Sequence, residues 1–360
     1  MKKILKSLLL IISLFMTICA TAQERFLIQE MEFTPGGEED YFTIALENGE
    51  YEDYTAFQFD LVLPPGLELV YYEGEPEIYM SEKDNVYTAR RDDHVITYNV
   101  HPGFVRIICY SPSNKIIASS GNLVDIWVRP TAYLKPGVVN IILRDASISR
   151  RDATGNTTKE IVLDGITASN SCTVEINVSA NNKYSTAVLP FDMEAIPAGL
   201  KVYSCNSTDG ENLVLSQQNS IKAYSPYILY APNGFAATLS GTVDASKYRE
   251  NVNDGFLSGT VVPTEISGGN GCYVMQNKGG GVMFYKVTDT AFSIPAGKCW
   301  LTLPSELQES AQFRFAGTTG IEEIIEKRLE NDTVYDLQGR KIDNPANGIY
   351  IIDGNKVLVK

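Results

Sequence analysis

Four tyrosines, Tyr71, Tyr72, Tyr79 and Tyr87, fall inside one polar segment that runs from Tyr71 to Asp93. A phenol combines a flat apolar face with a hydroxyl, which suits stacking on a sugar ring or anchoring a protein contact. The competing explanation is that these rings cover the edge of a sheet. Other groups capable of chemistry are scattered. His94 and His101 are the only histidines; in principle they share a metal, but no cysteine or compact carboxylate set completes a zinc site. No G-x-S-x-G elbow marks an activated serine. Acid runs at Glu38-Glu39-Asp40, Asp92-Asp93 and Glu322-Glu323 offer the carboxylates that a glycosidase holds roughly 5–10 Å apart, although such runs in turns are more often solvated surface. Asp152-Ala153-Thr154-Gly155-Asn156 and Asp209-Gly210-Glu211-Asn212 carry oxygen ligands for calcium without the spacing of an EF-hand loop. No other cofactor is implied.

Charge and cysteine usage narrow the field. The 360 residues carry 44 acids against 30 Lys and Arg, a net charge of −14. Such a surface repels phosphate backbones, so nucleic acid is a poor partner. Cys109, Cys172, Cys205, Cys272 and Cys299 are widely spaced, with no C-x-x-C. They allow up to two disulfides in an oxidising compartment and equally allow buried free thiols beside apolar strand residues.

The elements needed to present these groups read as strands. Residues 24–165 hold short runs of β-branched and aromatic residues at Tyr41–Glu47, Ala56–Leu63, Val95–Val100, Phe104–Tyr110, Leu123–Val128 and Val138–Leu143, separated by Pro/Gly turn signals. Phe57, Phe59, Leu61 and Leu63 alternate with Gln58, Asp60 and Val62, which places the large side chains on one face. This spacing predicts a β-sandwich. Residues 166–171 are small and polar and are expected to form a linker. A second β-rich domain is expected over 172–316, with strands at Thr173–Val178, Tyr227–Tyr230, Cys272–Gln276, Val282–Val287 and Cys299–Leu303. Residues 318–330 are expected to form a short helical connector, with Ile321, Ile324, Ile325 and Leu329 on one face. Residues 331–360 close the chain as a small β tail, with a hairpin signal at Asp353-Gly354. The expected fold class is all-β.

Two stretches resemble known families. Thr55–Gly66 (T-A-F-Q-F-D-L-V-L-P-P-G), with Tyr110–Asn114 and Gly121–Leu123, is similar to the cohesin-like, Ig-like sandwich, a relative of carbohydrate-binding modules. The resemblance implies a fold; cohesins bind dockerins and related modules bind glycans. The tail resembles the C-terminal sorting domain of type IX secretion cargo through Tyr335, Asp336, Gly339, Arg340, Gly348 and Tyr350. That resemblance implies a contact with secretion machinery, although the recognisable tail is shorter than a full sorting domain.

The opposite end also carries an export signature. Lys2, Lys3 and Lys6 precede an apolar core from Leu8 to Ile18, and Ala20-Thr21-Ala22 is a cleavage signal, so 1–22 reads as a signal peptide. The residues before Cys19 lack the small residue of a lipobox. No later stretch approaches the roughly 20 apolar residues of a membrane span. The expectation is a secreted or cell-surface, non-enzymatic, multi-domain protein whose sandwich binds a glycan or a surface protein. The alternatives are a scaffold or adhesin without a small ligand, and a glycoside hydrolase.

Overall fold

A computed structural model describes residues 25–47, 54–81, 93–117 and 121–315, except positions 152, 211, 270, 279–280, 289–290, 309 and 311, together with 334–335, 340–342, 348–352 and 355–359 of the tail. The expected signal peptide (1–22), Tyr87, Asp336, Gly339 and the expected helix at 321–329 lie outside the described residues. Among those described, the helical pieces are two 3-10 turns, Ala245–Lys247 and Ser305–Leu307; everything else regular is strand. The chain divides into two compact units at Cys172/Thr173.

The first unit contains β1 (Arg25–Ile28), β2 (Met31–Phe33), β3 (Asp40–Glu47), β4 (Tyr54–Val62), β5 (Leu67–Leu69), β6 (Tyr71–Tyr72), β7 (Glu75–Pro76), β8 (Ile78–Met80), β9 (Val95–His101), β10 (Phe104–Tyr110), β11 (Gly121–Pro130), β12 (Gly137–Arg150) and β13 (Ala153–Ala168). One sheet runs β1-β3-β11-β5, with β8 also on β11; the other runs β2-β13-β12-β4-β10-β9. Period-two alternation produces the core. Phe57, Phe59 and Leu61 of β4 are buried at 2%, 1% and 1% exposure and form one cluster with Phe42, Ile44 and Ile126 of the facing sheet. Leu63 lies just past the end of β4 and is half-buried. Phe26 and Phe59 meet edge-on across the two sheets, ring centres 5.7 Å apart. Each such side chain contributes about 1.5–3 kcal/mol on burial.

The linker expected at 166–171 is mostly strand. β13 continues to Ala168, with Ile166 fully buried and Ile166 to Ala168 paired in parallel with Met31 to Phe33. The small side chains fit a tightly packed rung as well as they fit a loop. Only Ser169 and Asn170 separate β13 from the next strand.

The second unit contains β14 (Ser171–Val178), β15 (Tyr184–Val188), β16 (Lys201–Asp209), β17 (Asn212–Gln218), β18 (Pro226–Tyr230), β19 (Phe235–Thr242), β20 (Asn251–Asp254), β21 (Leu257–Thr260), β22 (Thr264–Ile266), β23 (Cys272–Asn277), β24 (Val282–Lys286), β25 (Phe292–Ile294), β26 (Lys298–Thr302) and β27 (Gln312–Phe315). Its main sheet runs β15-β18-β16-β17-β27-β24-β23-β26-β21-β20, while β14 pairs β19 and β22 pairs β25. Tyr227 is buried with Ile228 and Leu229, as strand-core residues. The tail strands β28 (Val334–Tyr335), β29 (Lys341–Ile342), β30 (Gly348–Ile352) and β31 (Asn355–Val359) form a four-stranded sheet in the order β29-β28-β30-β31. Ile352 pairs Asn355; the hairpin signal expected at Asp353-Gly354 lies outside the described residues.

All five described cysteines are buried and none is in a disulfide among the described residues. Burial pushes the thiols of Cys109, Cys172, Cys205 and Cys299 up to about 12. The disulfide alternative is therefore set aside for these residues.

Candidate functional site

The tyrosines of the polar segment are presented by a flap. β5 and β8 both pair with β11, at Val128↔Leu69 and Ile126↔Ile78. Between them the chain leaves the sheet as the hairpin β6–β7, with Tyr71↔Pro76 and Tyr72↔Glu75. Its two-residue loop, Glu73-Gly74, has φ of +50° and +90°, the positive values that a tight hairpin turn demands. The base is sewn down by backbone bonds: Val70 N–H donates to the Trp127 carbonyl (3.1 Å), Trp127 N–H to the Glu77 carbonyl (3.0 Å) and Glu77 N–H to the Val70 carbonyl (2.9 Å).

On this base Tyr71, Tyr72 and Tyr79 are 49%, 67% and 49% exposed. Two glutamates tie the aromatic hydroxyls to the flap. The Tyr79 Oη donates to Glu77 Oε2 at 2.5 Å, and the Tyr98 Oη, from β9 of the other sheet, donates to Glu75 Oε2 at 2.9 Å. Each bond to a carboxylate raises the phenol pKa above its ordinary value. The structure thus gathers three of the four expected tyrosines; Tyr87 lies outside the described residues.

Register adds residues that spacing alone did not reveal. Asp125 stands opposite both Thr43 and Tyr79, and Trp127 stands opposite Tyr41. Directly opposed residues share a face, so Tyr41, Thr43, Tyr79, Asp125 and Trp127 lie on the outward face of one sheet, where Thr43 is covered. Tyr41 and Trp127 are tilted against each other with ring centres 5.0 Å apart. Thr43 Oγ1 donates to Asp125 Oδ1 at 2.6 Å. Arg129, next along β11, is flanked by Glu39 (3.5 Å) and Glu68 (3.9 Å). The signal that could have found Trp127 is the alternation Asp125-Trp127-Arg129 opposite buried Val124, Ile126 and Val128. Beside the flap, a cleft of about 430 Å³ has Tyr71, Leu69, Val100 and Arg129 in its lining, and His101 stacks on Phe104 at 4.6 Å.

The other sequence candidates are not brought together. His94 immediately precedes β9 and His101 ends it, and seven extended steps separate them by about 23 Å, which is too far for one metal. The ring nitrogens of His94 are buried, with no hydrogen-bond partner among the described residues. Among the described residues no group of three or more His, Cys, Asp or Glu could hold a metal ion. Asp93 accepts from Ser111 Oγ (2.6 Å) and from the Ser113 N–H and hydroxyl, which holds its carboxyl below the usual range. Of the two stretches weighed for calcium, 153–156 belong to β13, and Asp209 pairs Asn212 across β16 and β17; Asp152 and Glu211 lie outside the described residues. Among the described residues no helix is long and apolar enough to cross a membrane.

No family model matches the chain, and no curated protein matches it. Solved structures similar to it are cohesin modules. One, a type I cohesin of Clostridium thermocellum solved in a cohesin–dockerin complex, is 13% identical over 41% of this chain and 99% of that one, with a TM-score of 0.33. A non-cellulosomal cohesin from Archaeoglobus fulgidus is 17% identical over 40% of this chain and 91% of its own, at 0.29. The cohesin module of a Clostridium perfringens family 33 glycoside hydrolase is 20% identical over 41% and 99%, at 0.28.

Proposed function

We propose that the chain is an exported, non-enzymatic surface or secreted protein whose first unit is a binding module for a glycan. The observation that carries this reading is the flap: exposed Tyr71 and Tyr72 on a stapled hairpin, beside exposed Tyr79, which shares a sheet face with Tyr41, Asp125 and Trp127. Flat rings beside carboxylates match a sugar, whose C–H face stacks and whose hydroxyls donate. Residues 331–360 serve export or surface attachment through secretion machinery, and 1–22 is the signal peptide.

A protein partner is the second reading. On the outer face of the β2-β13-β12-β4-β10-β9 sheet, exposed Val162 stands in register with Ile142, which in turn pairs Val62. A flat apolar row of this kind suits a protein surface more than a small ligand.

A glycan-array screen of the chain from Gln23 onward tests the first reading. Binding is expected to fall at least tenfold on Tyr72→Ala and Trp127→Ala, with smaller losses for Tyr71→Ala and Tyr79→Ala. Unchanged binding in all four variants retires this site, and a blank array together with capture of a surface protein moves the assignment to the second reading.

A further inference from the structure

The second unit contains a pocket of different chemistry. β23 and β26 pair at Cys272↔Thr302 and Tyr273↔Leu301, and then part. β15 enters the gap. Thr186 Oγ1 accepts from the Cys299 N–H at 3.1 Å and donates to the Cys299 carbonyl at 3.3 Å, while the Val188 N–H donates to the Gly297 carbonyl at 2.9 Å. The fork held open in this way encloses about 490 Å³.

Lys298 is the one charged residue among the described residues that line it. Its Nζ donates to Ser185 Oγ and to the Thr186 carbonyl, both at 3.3 Å. No carboxylate pairs with it among the described residues. Lys298 is exposed as a residue, yet its ammonium lies against β15, where desolvation lowers its pKa. Desolvated charges are normally paired, and in a chain of net charge −14 an ammonium with no acid among the described lining residues is a specific arrangement. Phe292, Met275 and Val282 form apolar walls, and Asn182, Gln276 and Asn277 bring amides to the lining.

We infer that this fork binds a small organic carboxylate with a hydroxylated body, the carboxylate pairing with Lys298 Nζ and the hydroxyls meeting the amides. Guanidinium forks offer phosphate two-point pairing, and no arginine is among the described residues lining this pocket; a single ammonium matches a single negative charge. The titratable groups facing Lys298 are Cys299 on its own strand and Tyr184 on β15, whereas β23, β24 and β25 place none in the lining. The ammonium must be charged to act, so binding is lost as pH rises through the depressed lysine pKa.

Titration calorimetry of the full mature chain with D-glucuronate and D-galacturonate, against D-glucose and inorganic phosphate, tests the inference. A uronate is expected to bind at least tenfold more tightly than glucose or phosphate. Lys298→Met is expected to weaken it at least tenfold, Lys298→Arg less, and Gln276→Ala several-fold, with thermal unfolding checking that each variant folds. A second readout is acylation of Lys298 at pH 8 followed by mass spectrometry, which the uronate should slow. The flap variant Tyr72→Ala should leave both readouts unchanged, separating this pocket from the glycan reading. Absence of uronate binding, equal binding by folded Lys298→Met, or tightest binding by phosphate overturns the proposal.

Discussion

Asp60 is the clearest case of one side chain with a measurable role. It is 6% exposed on the outer face of its sheet, where Arg106 grips it with Nε and Nη2 at 2.6 and 2.7 Å. Two-point pairing of a guanidinium to a carboxylate is stronger than a neutral hydrogen bond. Asp60→Ala is expected to lower stability by about 2 kcal/mol, read by urea denaturation; because Arg106 is half-exposed, water recovers part of the loss. The cysteines set a pH dependence. Burial favours the neutral thiol, so the folded chain keeps protons that the unfolded chain releases above its ordinary thiol pKa of 9.0. Stability is fully present below about pH 9 and falls as pH rises toward about 12. Chevron or melt data across that window should show the decline, and Cys109→Ala should make it shallower. At pH 8 the native thiols should resist a disulfide exchange reagent and react when the chain is unfolded.

The turns separate conformational strain from steric conflict. Gly66 has φ +88°, and a Cβ there would come within 2.5 Å of the Leu134 Cα. Gly74 has φ +90° with nothing within 4 Å. Gly66→Ala should therefore cost about 3 kcal/mol or more, and Gly74→Ala about 1 kcal/mol, while the latter disturbs the flap and reduces ligand binding. Equal melting temperatures for the two would contradict this account. The same elements show what the sequence could and could not reveal. β4 and β10 were legible because large residues alternate over seven or more positions. β12 was seen only as Val138–Leu143, since Arg144 and Asp145 break the pattern at a register shift. The flap was illegible: β5 and β8 are three residues each, too short for periodicity, and their common partner is some fifty residues away. Tyr71, Tyr72 and Tyr79 stood out by composition, whereas Tyr41 and Trp127 joined them only through register.

Each unit carries its own core, one around Phe42, Phe59 and Ile126, another around Tyr273, Phe284 and Phe313. A fragment of residues 24–172 is expected to unfold cooperatively by itself, as calorimetry would show; a broad, non-cooperative melt would mean that it depends on the second unit. The proposed role of the tail is tested on cells. Deleting 331–360 should leave the protein behind the outer surface, while undiminished surface display would refute that role.

The buried thiols have a consequence for the history of every molecule on the proposed export route. A chain threaded through an oxidising space in extended form would bare all of them at once, and each stray bond between them would lock in a wrong shape. Collapse must outrun the oxidant, and once the sheets close, shielding does the work that cross-links do elsewhere. Such a protein should keep well without reductant but recover poorly when refolded in air.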